Sequence, residues 1–114
     1  MNSEALNFIN TDILNEKDKV IISFNRFSGI DEIHELDMKL YENIPKVIGR
    51  YDGHEIAMDD SHGTLFAYGN NAEKLFKAMQ PILNEFDFLN EASVYLYFNK
   101  EDETFSELEF IMNK

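Results

Sequence analysis

Residues 51–62 gather imidazoles and carboxylates in one short stretch: Tyr51, Asp52, His54, Glu55, Asp59, Asp60 and His62. These are the residue types of a divalent-metal site or of a general acid and base. Their spacing fits neither. A helical zinc motif sets two His one turn apart, and a calcium loop alternates carboxylates around a Gly. On a strand His54 and Glu55 point to opposite faces, so one ion could meet both only if a bend at Gly53 re-aimed a side chain. A catalytic pair needs a pocket that shifts its pKa values, whereas the polar run Asp59-Asp60-Ser61-His62-Gly63 has the composition of a solvated hairpin tip. The stretch is therefore a candidate polar cluster with no metal ligand set and no catalytic residue. The chain has no cysteine, and it carries no nucleophile elbow and no glycine-rich phosphate loop.

Those residues depend on the elements around them. Val20-Ile21-Ile22-Ser23-Phe24 is β-branched and aromatic with Val20, Ile22 and Phe24 on one face, which predicts a central strand. Ser28, three residues before Asp31, predicts a helix start, and Ile30, Ile33, Leu36, Leu40, Tyr41 and Ile44 form its apolar stripe up to Pro45. Residues 47–51 and 54–58 read as a second strand bent at Asp52-Gly53, and residues 64–68 as a third that Gly69 stops. Asn70 or Asn71 then caps a second helix, with Glu73 at capping-box distance from Asn70. Its stripe runs Ala72, Leu75, Phe76, Met79, Ile82, Leu83, Phe86, with Pro81 inside it. Residues 92–98 alternate cleanly, and residues 105–112 predict a last strand with Leu108, Phe110 and Met112 inward and Glu107 and Glu109 outward, as suits an edge. Residues 1–17 admit a short helix or a strand, and are read as an N-terminal extension of one domain spanning 1–114.

The order strand, helix, strand, strand, helix, strand predicts an α+β domain of ferredoxin-like β-α-β-β-α-β type with an extra C-terminal strand and both helices on one face of an antiparallel sheet. In that arrangement Val94, Leu96 and Phe98 face the helices, and Tyr95 and Tyr97 lie on the open face near Phe66 and Tyr68. Rings on a sheet of this topology stack bases in RNA-recognition domains. Here the basic residues that would hold phosphates are missing, so Phe66, Tyr68, Tyr95 and Tyr97 are read as a protein interface, either with a partner or in a homodimer. The competing reading is that the N-terminal segment folds back over them.

Composition narrows the class further. Hydrophobic content of 44%, with 10 Phe and 5 Tyr, suffices for one core and argues against disorder. A chain this long buries roughly 65% of its unfolded surface. There are 22 acidic and 10 basic residues, a net charge of −12, which repels nucleic acid and anionic lipid and steers cationic partners toward contact. Acidity of this size also keeps a protein soluble without any partner. The absence of a signal-like start, of cysteine and of a long apolar run predicts a cytoplasmic protein without membrane association.

The runs Gly49-Arg50-Tyr51-Asp52-Gly53-His54-Glu55, Gly63-Thr64-Leu65-Phe66-Ala67-Tyr68-Gly69-Asn70-Asn71-Ala72-Glu73-Lys74-Leu75-Phe76 and Pro81-Ile82-Leu83 resemble a group of small uncharacterised bacterial proteins. That group carries Y-D-G-x-E, a strand ending Y-G, D-A-x-x-L and P-x-L at similar spacing. The resemblance covers residues 49–98; Asn71 stands where the group more often has Asp, and residues 59–63 fall in a loop that varies. It implies one compact domain with no known activity; separately, no cofactor is expected. The expected function is a non-enzymatic protein-binding module, in one version an immunity or antitoxin-like inhibitor of a basic partner. The alternative is a small-molecule or divalent-metal binding protein using residues 54–62.

Overall fold

In a computed structural model, described for residues 17–25, 27, 29–100 and 104–112, the chain forms β1 (Asp18–Phe24), α1 (Ile30–Asn43), β2 (Gly49–Ile56), β3 (Gly63–Gly69), α2 (Ala72–Leu83), a single 3-10 turn (Asp87–Leu89), β4 (Ser93–Asn99) and β5 (Phe105–Ile111). The strands make one antiparallel sheet in the order β2-β3-β1-β4-β5. The β1 strand is central, β2 and β5 are the edges, and β5 is the addition to the ferredoxin-like pattern. Alternation explains why both helices share one face. Val20, Ile22 and Phe24 of β1, Leu65 and Ala67 of β3, and Val94 and Leu96 of β4 are buried on it. The stripes Ile33, Leu36, Leu40 of α1 and Leu75, Phe76, Met79, Leu83 of α2 close over them.

Several local expectations change. The second strand runs from Gly49 to Ile56, shorter at both ends than expected, and the bend expected at Asp52-Gly53 is a bulge between Tyr51 and Gly53. Val47 and Met58 lie outside it and are exposed. Ser28 falls outside the described residues. The residue preceding α1 is Gly29, at φ 133°, which makes no side-chain cap. The cap of α2 is Asn71, whose Oδ1 accepts from the Lys74 amide at 3.0 Å, so Glu73 is the second helical residue and not the capping-box partner of Asn70. Asn70 is held elsewhere, donating its backbone N–H to the Ile48 carbonyl at 3.3 Å and its side-chain amide to the Val47 carbonyl at 3.4 Å. The helix passes through Pro81 and ends at Leu83. Phe86, expected on its stripe, is still buried, carried by the following turn in which its amide donates to the Leu83 carbonyl. The readings of residues 1–17, as helix, strand or cover for the sheet, lie outside the described residues up to Lys17, the first of them.

Close approach of β2 and β3 at one end requires glycine. Gly49 and Gly69 are register partners, and a Cβ on Gly49 would lie 2.3 Å from the Tyr68 carbonyl oxygen. Leu75 of α2 packs directly over the pair, so the helix can start close to the sheet because neither strand has a side chain there.

Candidate functional site

The bulge in β2 decides where the polar cluster goes. Tyr51 pairs with Ala67, but Gly53 pairs with Phe66 and His54 with Leu65, so one extra residue, Asp52, is inserted. In a regular strand Tyr51 and His54, three residues apart, would point to opposite faces; with the bulge both point toward the helices. Gly53 takes φ 104°, a conformation side chains avoid. Tyr51 and His54 converge on Asp37 of α1: the Tyr51 hydroxyl donates to Oδ1 at 2.6 Å, and His54 Nδ1 lies 2.8 Å from Oδ2 and 3.0 Å from Oδ1. A carboxylate only accepts, so this geometry assigns a hydrogen to Nδ1. Tyr51 is 3% exposed, and the Tyr41 ring meets it edge-on at 4.9 Å. Burial, then the bond to Asp37, pushes the Tyr51 phenol far above its ordinary range.

The other cluster residues do not join them. Asp52 bonds Arg50 at 2.8 Å, and Glu55, opposite Thr64, is exposed. At the hairpin tip Asp59 accepts from the Ser61 amide at 3.1 Å and hydroxyl at 2.6 Å, and Ser61 Oγ lies 2.9 Å from His62 Nδ1. Those bonds, the hydroxyl first, hold the Asp59 carboxyl below its ordinary pKa. Asp60 turns the chain at φ 59°. Among the described residues no group of three or more His, Asp or Glu is placed to hold a metal ion. His54 and His62 thus belong to separate small networks. Asp37 escaped the sequence reading, although its signal is visible afterwards: it sits four residues after Ile33 and three before Leu40, a carboxylate inside an apolar helical stripe.

The linkage at Tyr51 gives a measurable pH dependence. Its folded-state pKa is raised, so the folded protein keeps a proton that the unfolded chain releases above about pH 10. The stabilisation is complete below that pH and is lost as pH rises, at about 1.4 kcal/mol per pH unit for one proton. Urea denaturation between roughly pH 8 and 11 is expected to show that slope in the wild type and a shallower one in Tyr51→Phe, which also loses about 1 kcal/mol at neutral pH with the bond to Asp37.

The open sheet face is the second candidate. Register places Phe66, Ile21 and Tyr95 side by side across β3, β1 and β4, and Tyr68, Lys19 and Tyr97 in the next row. All six except Lys19 are half-buried. Lys19 Nζ lies 5.2 Å from the Tyr97 ring centroid, Arg50 is 5.7 Å from that of Tyr68, and Tyr97 stacks on Phe105 at 5.3 Å. The Tyr95 hydroxyl donates to Glu107 of β5, a bond that is the main cause of its phenol being pushed up to about 12. The face thus brings together Phe66, Tyr68, Tyr95 and Tyr97 as alternation requires, with Asp52, Glu55, Glu107 and Glu109 against Lys19 and Arg50. No described helix is long and apolar enough to cross a membrane. Comparison of the chain with protein-family models, with curated proteins and with solved structures returns no match.

Proposed function

We propose that this chain is a non-enzymatic protein-binding module of the cytoplasm that takes a basic protein partner on its open sheet face, in one version as an immunity or antitoxin-like inhibitor. One observation carries the reading: the cross-strand rows of Phe66, Ile21 and Tyr95 and of Tyr68 and Tyr97, on the face opposite both helices. Aromatic side chains concentrated in one patch are the groups that anchor protein interfaces. Glu107 and Glu109 on β5 and Asp52 and Glu55 on β2 frame the patch on both sides, and the net charge of −12 extends the same sign over the molecule. That balance favours a cationic protein and works against a phosphate backbone, with Lys19 and Arg50 already held over tyrosine rings and Arg50 paired with Asp52. Asp37, Tyr51 and His54 serve in this reading to pin α1 to the edge strand, so that the sheet presents its other face as a rigid platform.

The test is to isolate what binds the immobilised protein in its native extract, then titrate the purified partner calorimetrically at several salt concentrations. A partner of net positive charge, whose affinity falls steeply as salt rises, is the expected result. An acidic partner, or a salt-independent affinity, would sink the reading. Sedimentation of the protein alone accompanies it: a dimer that survives dilution would replace the foreign partner by a second copy.

A further inference from the structure

The edge strand β5 carries carboxylates that guard a sheet edge, Glu107 and Glu109, yet also leaves large apolar side chains exposed. It pairs with β4 on one side only among the described residues, and it exposes large apolar side chains on both faces: Phe105 at 54% and Ile111 at 52% on the open face, Leu108 at 51% on the helix face. Beneath Leu108, between β5 and α2, runs a groove of about 300 Å³ lined by Phe76, Leu96, Phe98, Leu108 and Phe110, with Glu73 and Lys77 on its rim. The Phe76 and Phe110 rings meet edge-on at 5.3 Å, so its walls are already ordered by packing. On the opposite face the same strand carries Glu107, bonded to Tyr95, and Glu109, so it adjoins the aromatic patch.

A second copy fits this edge poorly. Two β5 strands paired antiparallel about Glu107, Leu108 or Glu109, the registers that use most of the strand, set carboxylates of residues 107 and 109 opposite one another, which is unfavourable. A strand with cations at those positions reverses the sign. We propose that the outer edge of β5 docks an extended segment of a basic partner in which Lys or Arg alternates with apolar residues. The segment adds as a sixth strand; its apolar side chains enter the α2–β5 groove, and its cations meet Glu107 and Glu109. This rests on the protein-binding reading above and specifies where and in what conformation the partner is held.

The probe is a capped strand-length peptide of alternating Lys and Val. Its controls are a peptide of equal composition with the residues in Lys-Lys-Val-Val order, and one of alternating Glu and Val. By calorimetry the alternating Lys peptide is expected to bind at least about tenfold tighter than either control. It should also slow hydrogen exchange at β5 amides of the wild-type protein, a readout that needs no variant. Leu108→Asp, at a half-exposed site, is expected to weaken it at least about tenfold, and Glu107→Lys with Glu109→Lys to shift preference to the Glu peptide. Three results overturn the proposal. Equal binding of both Lys peptides would mean diffuse attraction. A dimer dissociated by Leu108→Asp would mean that a second copy occupies the edge. Binding abolished by Tyr95→Ser with Tyr97→Ser but untouched by Leu108→Asp would put the partner on the open face alone, overturning edge docking while leaving the binding-module reading intact.

Discussion

Replacing Asp18 by alanine is expected to lower the unfolding free energy by about 2 to 4 kcal/mol, more than most substitutions of a charged residue. Asp18 is the buried acidic side chain of the described core, 6% exposed at the start of the central strand. Its Oδ2 accepts from the Ala72 amide at 2.9 Å and its Oδ1 from the Asn99 amide at 2.9 Å. One carboxylate thereby ties Ala72, in the first turn of α2, to Asn99, at the end of β4, and its charge faces the positive end of the helix dipole. Alanine removes both acceptors. Ala72 is fully buried, so its N–H is left without water and meets the full desolvation cost of an unpaired donor, about 1 to 3 kcal/mol. Asp18→Asn keeps one oxygen acceptor and is expected to lose less. Urea denaturation at neutral pH reads the difference through its midpoint, with an unchanged slope if only stability moves. A loss under about 1 kcal/mol for alanine would show that neither bond matters to the fold.

Periodicity made most of this molecule legible. Val20, Ile22 and Phe24, Val94 and Leu96, and the stripes of both helices repeat at the spacing of their own element, so neighbours in sequence suffice to find them. The same alternation placed Tyr95 and Tyr97 opposite the helices. What escaped the sequence reading depends on partners far away in the chain. Asp37 meets residues 14 and 17 positions on, and Asp18 meets residues 54 and 81 positions on; a carboxylate in an apolar pattern signals that it has a partner without saying which. The bulge adds a second obstacle, because one inserted residue reverses the side of every side chain after it. Asp52-Gly53 announced a bend, yet only the register reveals that His54 turns toward α1 while Glu55 turns away. Several residues of the quoted motifs also have structural reasons to be what they are. Gly49 and Gly69 permit close backbone approach, Tyr51 is the buried donor to Asp37, and Gly53 holds the positive φ of the bulge. Those positions are accounted for by the fold.

The largest functional effect is expected from changing Tyr95 and Tyr97 to Ser together. Both rings are half-buried on the open face, Tyr95 anchored by its hydroxyl on Glu107 and Tyr97 stacked on Phe105 beneath the Lys19 ammonium. In the unbound protein these are surface cross-strand contacts, worth roughly 0.2 to 1 kcal/mol each, so the double change is expected to lower stability by less than about 2 kcal/mol. In the proposed complex the same rings would become desolvated anchors. Truncating an interface hot spot costs about 2 kcal/mol or more, a factor of about 30 in affinity, and two neighbours need not add. The purified partner is therefore expected to bind the double variant at least about 30-fold more weakly, with the loss mainly in its dissociation rate. Tyr41→Ser is the matched control, since Tyr41 is 59% exposed on α1, across the molecule from the open face. Unchanged affinity in the double variant would remove the open face from the interface. A fall in stability of about 3 to 5 kcal/mol would have another meaning: it is the cost of emptying a core, and would show that a further segment covers these rings.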